Sequence, residues 1–227
     1  MCPPDPQSPA SPVNIVKVGG SVLTLNDLPQ RLQRVLDQLD GPSALVVGGG
    51  AAADAVRDWS STFALDEPTA HWLAVDSLTL TARLVCELLN RSTASSAAVT
   101  YTWRESCAAV ERGQIPILNP RSFLDALTDT RTVNEQEPPC LPQSWSATSD
   151  SIAAAIAVRW QADQLVLLKS VGPPDAVKDH AREAAPIDEW FINIAPQIPL
   201  VRWCNLRQSP LRLHDWRPWN SPISNPN

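Results

Sequence analysis

Three short stretches hold residue types suited to handling a phosphoryl group. In Val16-Lys17-Val18-Gly19-Gly20-Ser21 a lysine is followed almost at once by two glycines. Glycines let backbone amides approach phosphate oxygens, and Lys17 adds a compact positive charge. The stretch is neither a G-x-x-x-x-G-K-[ST] loop nor a G-x-G-x-x-G fingerprint. Taken alone, it fits an ordinary strand-to-helix turn with a solvated lysine equally well. In the second stretch, Gly48-Gly49-Gly50 precedes a helical segment that carries Asp54 and Arg57. Bare amides at a helix start favour an anion, and Arg57 offers a forked partner for phosphate or carboxylate. As a solvated surface pair, Asp54 and Arg57 would have no ligand role. The third stretch, Ser144-Trp145-Ser146-Ala147-Thr148-Ser149-Asp150-Ser151, reads on its own as a capped helix, with Ser149 or Asp150 accepting the first amides.

Such residues need strand ends and helix starts to hold them. Asn14 to Val18 and Ala44 to Val47 are short apolar runs that each stop at glycines, as buried strands entering turns do. Between them Leu28, Leu32, Val35, Leu36 and Leu39 recur at helical spacing until Gly41-Pro42. A helix is expected from Ala51 to Trp59, and a longer one from Thr69 to Leu89 with Leu73, Leu80, Leu84 and Leu88 inward. Ala97 to Tyr101 and Ile115 to Leu118 read as strands around a short helix at Glu105 to Arg112. A helix over Ser149 to Trp160, a strand over Gln164 to Leu168 and a last strand over Leu200 to Leu206 complete the alternation. The pattern predicts an α/β fold with a mainly parallel sheet, helices on both faces, and a ligand site at the carboxyl ends of the strands. All three motifs then fall at strand ends or helix starts, in the order Lys-Gly-Gly, Gly-Gly-Gly, Ser-Asp-Ser.

Composition narrows the partners. The chain has 227 residues, 44% of them hydrophobic, enough for one domain with a full core. A net charge of −6 and a pI near 5.0 exclude a nucleic-acid footprint, which needs clustered Lys and Arg. The five cysteines are odd in number and never in C-x-x-C spacing, which places the chain in a reducing cytoplasm. No apolar stretch reaches the roughly 18 to 20 residues of a membrane span, and MCPPDPQSPASP has neither a basic nor an apolar targeting region. His180 and His214 lack Cys or acidic partners at ligand spacing, so no protein-held metal site is expected. Trp190, Trp203, Trp216 and Trp219 are read as covering the core or an oligomer interface, and a homo-oligomer is expected.

The ordered motifs resemble the amino acid kinase family over roughly Asn14 to Arg207. His71-Trp72-Leu73-Ala74 and Ser144 to Ser151 are most similar to its small methanofuran-biosynthesis branch and that branch's bacterial one-carbon relatives. The resemblance implies a three-layer α/β sandwich of the carbamate kinase-like type. The organisation would be a disordered Pro-rich segment over 1–12, a kinase domain over 13–207 and a Pro/Trp-rich tail over 208–227. ATP with Mg²⁺ would supply the phosphoryl group. Lys17 would contact the ATP phosphates, with Gly19, Gly20, Ser21, Ser149, Lys169 and Ser170 around the nucleotide, and Asp150 would orient the lysine. Gly48, Gly49, Gly50, Asp54, Arg57, His71 and Thr148 would face the acceptor, a phosphomonoester such as aminomethyl-furan methyl phosphate, with His71 donating to its phosphate as an imidazolium. A carboxylate acceptor, or a ligand-holding relative without turnover, are the alternatives. Many relatives have Thr-Asp-Val-Asp-Gly where this chain has Lys169-Ser170-Val171-Gly172-Pro173-Pro174, lacking both acids. Lys169 or Lys178 could stand in for the second lysine of those relatives.

Overall fold

β1 (Asn14–Val18) and β5 (Gln164–Lys169) are buried along their whole length, as interior strands of a parallel sheet are. The computed structural model describes residues 14–128, 141–174 and 187–217. Cys2, Cys140, Lys178, His180, Trp219 and the segment 1–12 lie outside the described residues. β2 (Ser43–Val47), β3 (Ser96–Thr100), β4 (Gln114–Leu118), β6 (Leu200–Asn205) and β7 (His214–Asp215) complete a seven-stranded sheet in the order β3-β4-β2-β1-β5-β6-β7. Every pairing is parallel except that of β6 with β7. The expected α/β sandwich with a mainly parallel sheet is therefore the observed one.

Each face of the sheet carries its own core. On one face Ile15, Leu165 and Leu167 pack with α6 (Ser149–Arg159) and with Phe191 and Ile194 of α7 (Phe191–Ile194). On the other Val16, Val18, Val166 and Leu168 pack with α1 (Leu28–Leu36). Side chains alternate along a strand. Lys17 shares the parity of Ile15, and Lys169 that of Leu165 and Leu167, so both lysines point to the face that α6 covers. α6 itself runs Ile-Ala-Ala-Ala-Ile-Ala, all buried. Small side chains there let the helix lie close on the sheet, at the ends of β1 and β5.

α2 (Ala51–Phe63) and α3 (Glu67–Ser92) follow β2. α3 corrects one expectation, because Leu73, Leu80 and Leu84 are 38%, 62% and 45% exposed. The buried stripe is His71, Val75, Leu78, Ala82, Val85 and Leu89. This helix carries two apolar stripes at helical spacing, and periodicity alone favours the larger leucines. The tighter Val/Ala side is the one that fits against the sheet. α4 (Trp103–Glu111) and α5 (Pro120–Thr128) flank β3 and β4. Past residue 207, in the stretch expected as a tail, the chain forms β7 and buries Trp216 against Phe191 and Trp203. Among the described residues no helix is long and apolar enough to cross a membrane.

The turns after β1 and β2 meet backbone to backbone. A Cβ on Gly20 would lie 2.3 Å from Gly50 N, and one on Gly48 would lie 2.8 Å from Gly20 N. Neither backbone can retreat without moving a strand end. Gly20→Ala is therefore expected to lower the stability of the folded chain by about 1 to 3 kcal/mol, by overpacking. Gly172→Ala, which has nothing within 4 Å, should change it by less than about 0.5 kcal/mol. Urea unfolding of both variants checks the difference, and equal midpoints would refute the close approach.

Candidate active site

Lys17 leaves β1, Lys169 ends β5, and Asp150 projects from the first turn of α6 between them. Lys169 Nζ donates to Asp150 Oδ2 at 2.6 Å, and Lys17 Nζ stands 2.7 Å from Oδ1. The Lys17 contact is a close ion pair set off the hydrogen-bonding direction, since Oδ1 makes no well-aligned hydrogen bond. All three groups are buried. Burial drives the Asp150 carboxyl up, yet the two ammonium charges outweigh it and hold it below the usual carboxylate range. Burial, with the Lys17 charge beside it, pulls Lys169 down to about 8 against the opposing attraction of Asp150. The Lys169 ammonium also lies 5.7 Å from the centre of the Trp203 ring. With all three groups ionised, two positive charges face one negative charge within this trio of described residues.

Those turns hold the rest of the phosphate-type residues. Gly19 N donates to Leu168 O at 2.8 Å, which ties the β1 turn to the end of β5. Ser21 Oγ and Ser170 Oγ are 2.9 Å apart. Gly48 N donates to Val18 O at 2.8 Å, extending the β1–β2 pairing into the second glycine turn. Gly50 has φ 53° and ψ −142°, a conformation open to glycine and costly for other residues, and it leads directly into α2. Ser149 Oγ is 3.0 Å from where a Gly48 Cβ would stand. The three motifs, separated by up to 134 positions from Lys17 to Ser151, thus converge at the carboxyl ends of β1, β2 and β5.

Beside them lies a cleft of about 380 Å³. Gly20, Ser21, Gly49, Gly50, Asp54, Arg57, His71, Thr148 and Ser149 all line it, while Lys17, Gly19, Gly48, Asp150, Lys169 and Ser170 do not. Most of its remaining walls are apolar, from Val75, Leu78, Ala147 and Ile152, with Trp145 at one side. Arg57 pairs with Asp54 at 2.8 Å on the exposed rim, and its guanidinium lies 4.6 Å from the centre of the Trp145 ring. Trp145 is thus a site residue that the sequence reading passed over, its role hidden because its contact with Arg57 is made across 88 positions.

Three expectations change in detail. His71 is buried, with Nδ1 3.3 Å from Ser144 O. Burial holds its pKa below 6.5 despite that contact, so at neutral pH the ring rests neutral instead of as an imidazolium. Thr148 donates its hydroxyl proton to Asp188 Oδ2 at 2.8 Å, which leaves its lone pairs toward the cleft. The first amides of α6 are accepted by neither Ser149 nor Asp150; Thr148 N and Ser151 N both donate to Asp188. Asp150 is freed from capping by that arrangement and faces the lysines instead. Among the described residues no three His, Cys, Asp or Glu side chains cluster as a metal site. Asp150 has a lysine against each oxygen, so the residues present do not fit an Mg²⁺ held by the protein.

A buried lysine pair on one carboxylate, glycine turns on either side and an adjoining cleft can neutralise and orient anionic groups on two molecules at once. The sequence matches the model of the amino acid kinase family over residues 12–173. The fold is similar to the UMP kinase of Bacillus anthracis, with a TM-score of 0.60 and 12% identity over 87% of this chain and 88% of that one. It is also similar to the UMP kinase of Ureaplasma parvum, with a TM-score of 0.57 and 12% identity over 88% and 92% of the two chains. No curated protein sequence matches this chain. The order of the motifs, their meeting point and the family match give one answer: the chain belongs to the amino acid kinase family and is a phosphotransferase.

Proposed function

We propose that the chain transfers the γ-phosphoryl group of ATP to a phosphomonoester, with aminomethyl-furan methyl phosphate as the leading acceptor, giving a diphosphate. The observation that carries this reading is the sharing of Asp150 by Lys17 and Lys169 beside two glycine turns. Phosphoryl transfer asks little covalent chemistry of side chains; it asks for alignment and for positive charge around the transferring oxygens. Lys17 and Lys169 supply that charge, and Asp150 holds both ammonium groups in place. The amides after Gly19 and Gly20, with Ser21 and Ser170, take the nucleotide phosphates. Gly48 ties the second glycine turn to β1, and Gly49 and Gly50 offer their amides at the head of α2 to the acceptor anion. Arg57 and His71 lie along the same cleft, His71 taking up a proton as the acceptor phosphate binds. Mg²⁺ is assigned no ligand on the protein.

The two similar folds are UMP kinases, and UMP is a phosphomonoester, which favours that acceptor class over a carboxylate. The lost acids after β5 favour a relative that binds without turnover. Against that stands Lys169, the first residue of the altered stretch, whose ammonium meets Asp150 beside Lys17 and supports its use as a second lysine. The cytoplasm is the proposed compartment; Cys86 and Cys204 are free thiols. Large apolar side chains exposed on α2 and α3, among them Trp59, Phe63 and Leu80, support a homo-oligomer.

ADP release from ATP, screened over phosphomonoesters that include the furan phosphate, tests the function. A product stable to hydroxylamine is expected; a hydroxamate would move the acceptor to a carboxylate, and ATP binding with no ADP release would leave a binding protein. Lys17→Ala should fold normally and lose about two to four orders of magnitude in turnover, the worth of one preorganised charge of ~3 to 5 kcal/mol. Near-normal turnover in that variant would refute the role of the lysine. The rate should also depend on Lys169. Its deprotonation removes a positive charge, so kcat/KM for ATP should fall as pH rises through about 8. Bound phosphates favour the ammonium, so the same limb in kcat should lie at higher pH. A flat profile to pH 10 would remove Lys169 from the chemistry.

A further inference from the structure

Asp188 is set 38 positions from Asp150 and lines no part of the acceptor cleft. Its carboxylate nevertheless takes five hydrogen bonds. Oδ2 accepts from Thr148 N at 2.9 Å, Thr148 Oγ1 at 2.8 Å and Ser151 N at 3.1 Å. Oδ1 accepts from Phe191 N at 3.0 Å and from Ser151 Oγ. A second tie runs beside it, from Trp190 N to Ser146 O at 3.1 Å. The bracketed residues, Ser149 and Asp150, are the ones that face the Gly48 turn and the two lysines.

We propose that Asp188 is a positioning residue for phosphoryl transfer: by gripping Thr148 and Ser151 on either side, it fixes the first turn of α6 so that Asp150 meets Lys17 and Lys169 together. The inference rests on the phosphotransfer reading of the lysine pair. All five groups that reach Asp188 are hydrogen-bond donors as they stand, and three of them are backbone N–H groups that only an acceptor can meet. The backbone N–H groups cannot reverse their role, whereas hydroxyls can. An asparagine would turn an amide N–H₂ toward Phe191 N in one orientation, and toward Thr148 N and Ser151 N in the other. Asn is therefore a small change in shape and a large one in bonding. With the turn loosened, Asp150 drifts from the lysines, and a displacement of about 1 Å costs on the order of 10²-fold in rate.

The chain contains three lysines, Lys17, Lys169 and Lys178, so ¹³C-lysine labelling reports the cluster directly and needs no acceptor. Among the described residues, the charged groups facing Lys169 include Lys17 from β1 and Asp150 from α6. Weaker contact with Asp150 removes the attraction that favours the Lys169 ammonium. In Asp188→Asn the Lys169 titration should move to lower pH by about 1 pH unit. ADP formation from ATP and the furan phosphate should fall about 10- to 100-fold in kcat, with the KM for ATP little changed. A folded Asp188→Asn protein with the wild-type lysine titration and wild-type kcat would overturn the proposal and leave Asp188 a helix cap. If Asp188→Asn does not fold, Ser151→Ala removes one of the five hydrogen bonds outside the cleft lining. A smaller shift in the same direction then supports the proposal, and an unchanged titration overturns it. Asp150→Asn measured in parallel separates the two ideas. Wild-type turnover in that variant would sink the phosphotransfer reading itself, whereas its loss beside a normal Asp188→Asn would sink only the role of Asp188.

Discussion

Two of the chain's three lysines are buried against one carboxylate, and the rest of the site follows from keeping that unequal cluster in place. A buried pair of opposite charges gains little net stability, because desolvation offsets attraction. Two like charges on one partner gain less still. The arrangement persists because the sheet and α6 hold it rigidly from three elements. On the proposed reading, the two ammonium groups would draw an incoming phosphate anion.

The division of labour between the two glycine turns comes from the sheet order. β1 lies between β2 and β5, so its turn touches both neighbours. On the β5 side are Lys169 and Ser170, and on the β2 side the Gly48 turn and the cleft. A donor phosphate chain and an acceptor anion would therefore approach Gly20 from opposite directions. The cleft is mostly apolar, with charge only at its rim and a neutral imidazole in its wall. On the proposed reading, such a lining would suit an acceptor with a small apolar ring and an anionic end.

β1 and β2 were legible because each buried run stops at glycines, and the three motifs marked the right turns. The pairing of Lys17 with Asp150 was implied by the family resemblance that the ordered motifs carry. The place of Lys169 was not, since its contact with Asp150 depends on strand parity and on the neighbour relation of β1 and β5, neither of which is written locally. The leucine stripe of α3 misled because Leu73, Leu80 and Leu84 are more apolar than the Val, Ala and His residues that do face inward. Asp188 left no signal either. Its segment shows only an acidic residue before a short helix, and the helix whose start it completes begins 39 positions earlier. Caps supplied from a distance look in sequence like ordinary surface acids.

The backbone contact between Gly20 and Gly50 bears on how such a chain could diverge. Neither position can accept a side chain, because the opposing atoms belong to main chain at the ends of packed strands. On the proposed reading, the seam between donor and acceptor halves is closed to side chains, and variation in the acceptor would be written on the outer walls, at Arg57, His71 and Trp145, which line the cleft. A change of substrate in this scaffold becomes a matter of replacing a few wall residues around a seam that stays the same.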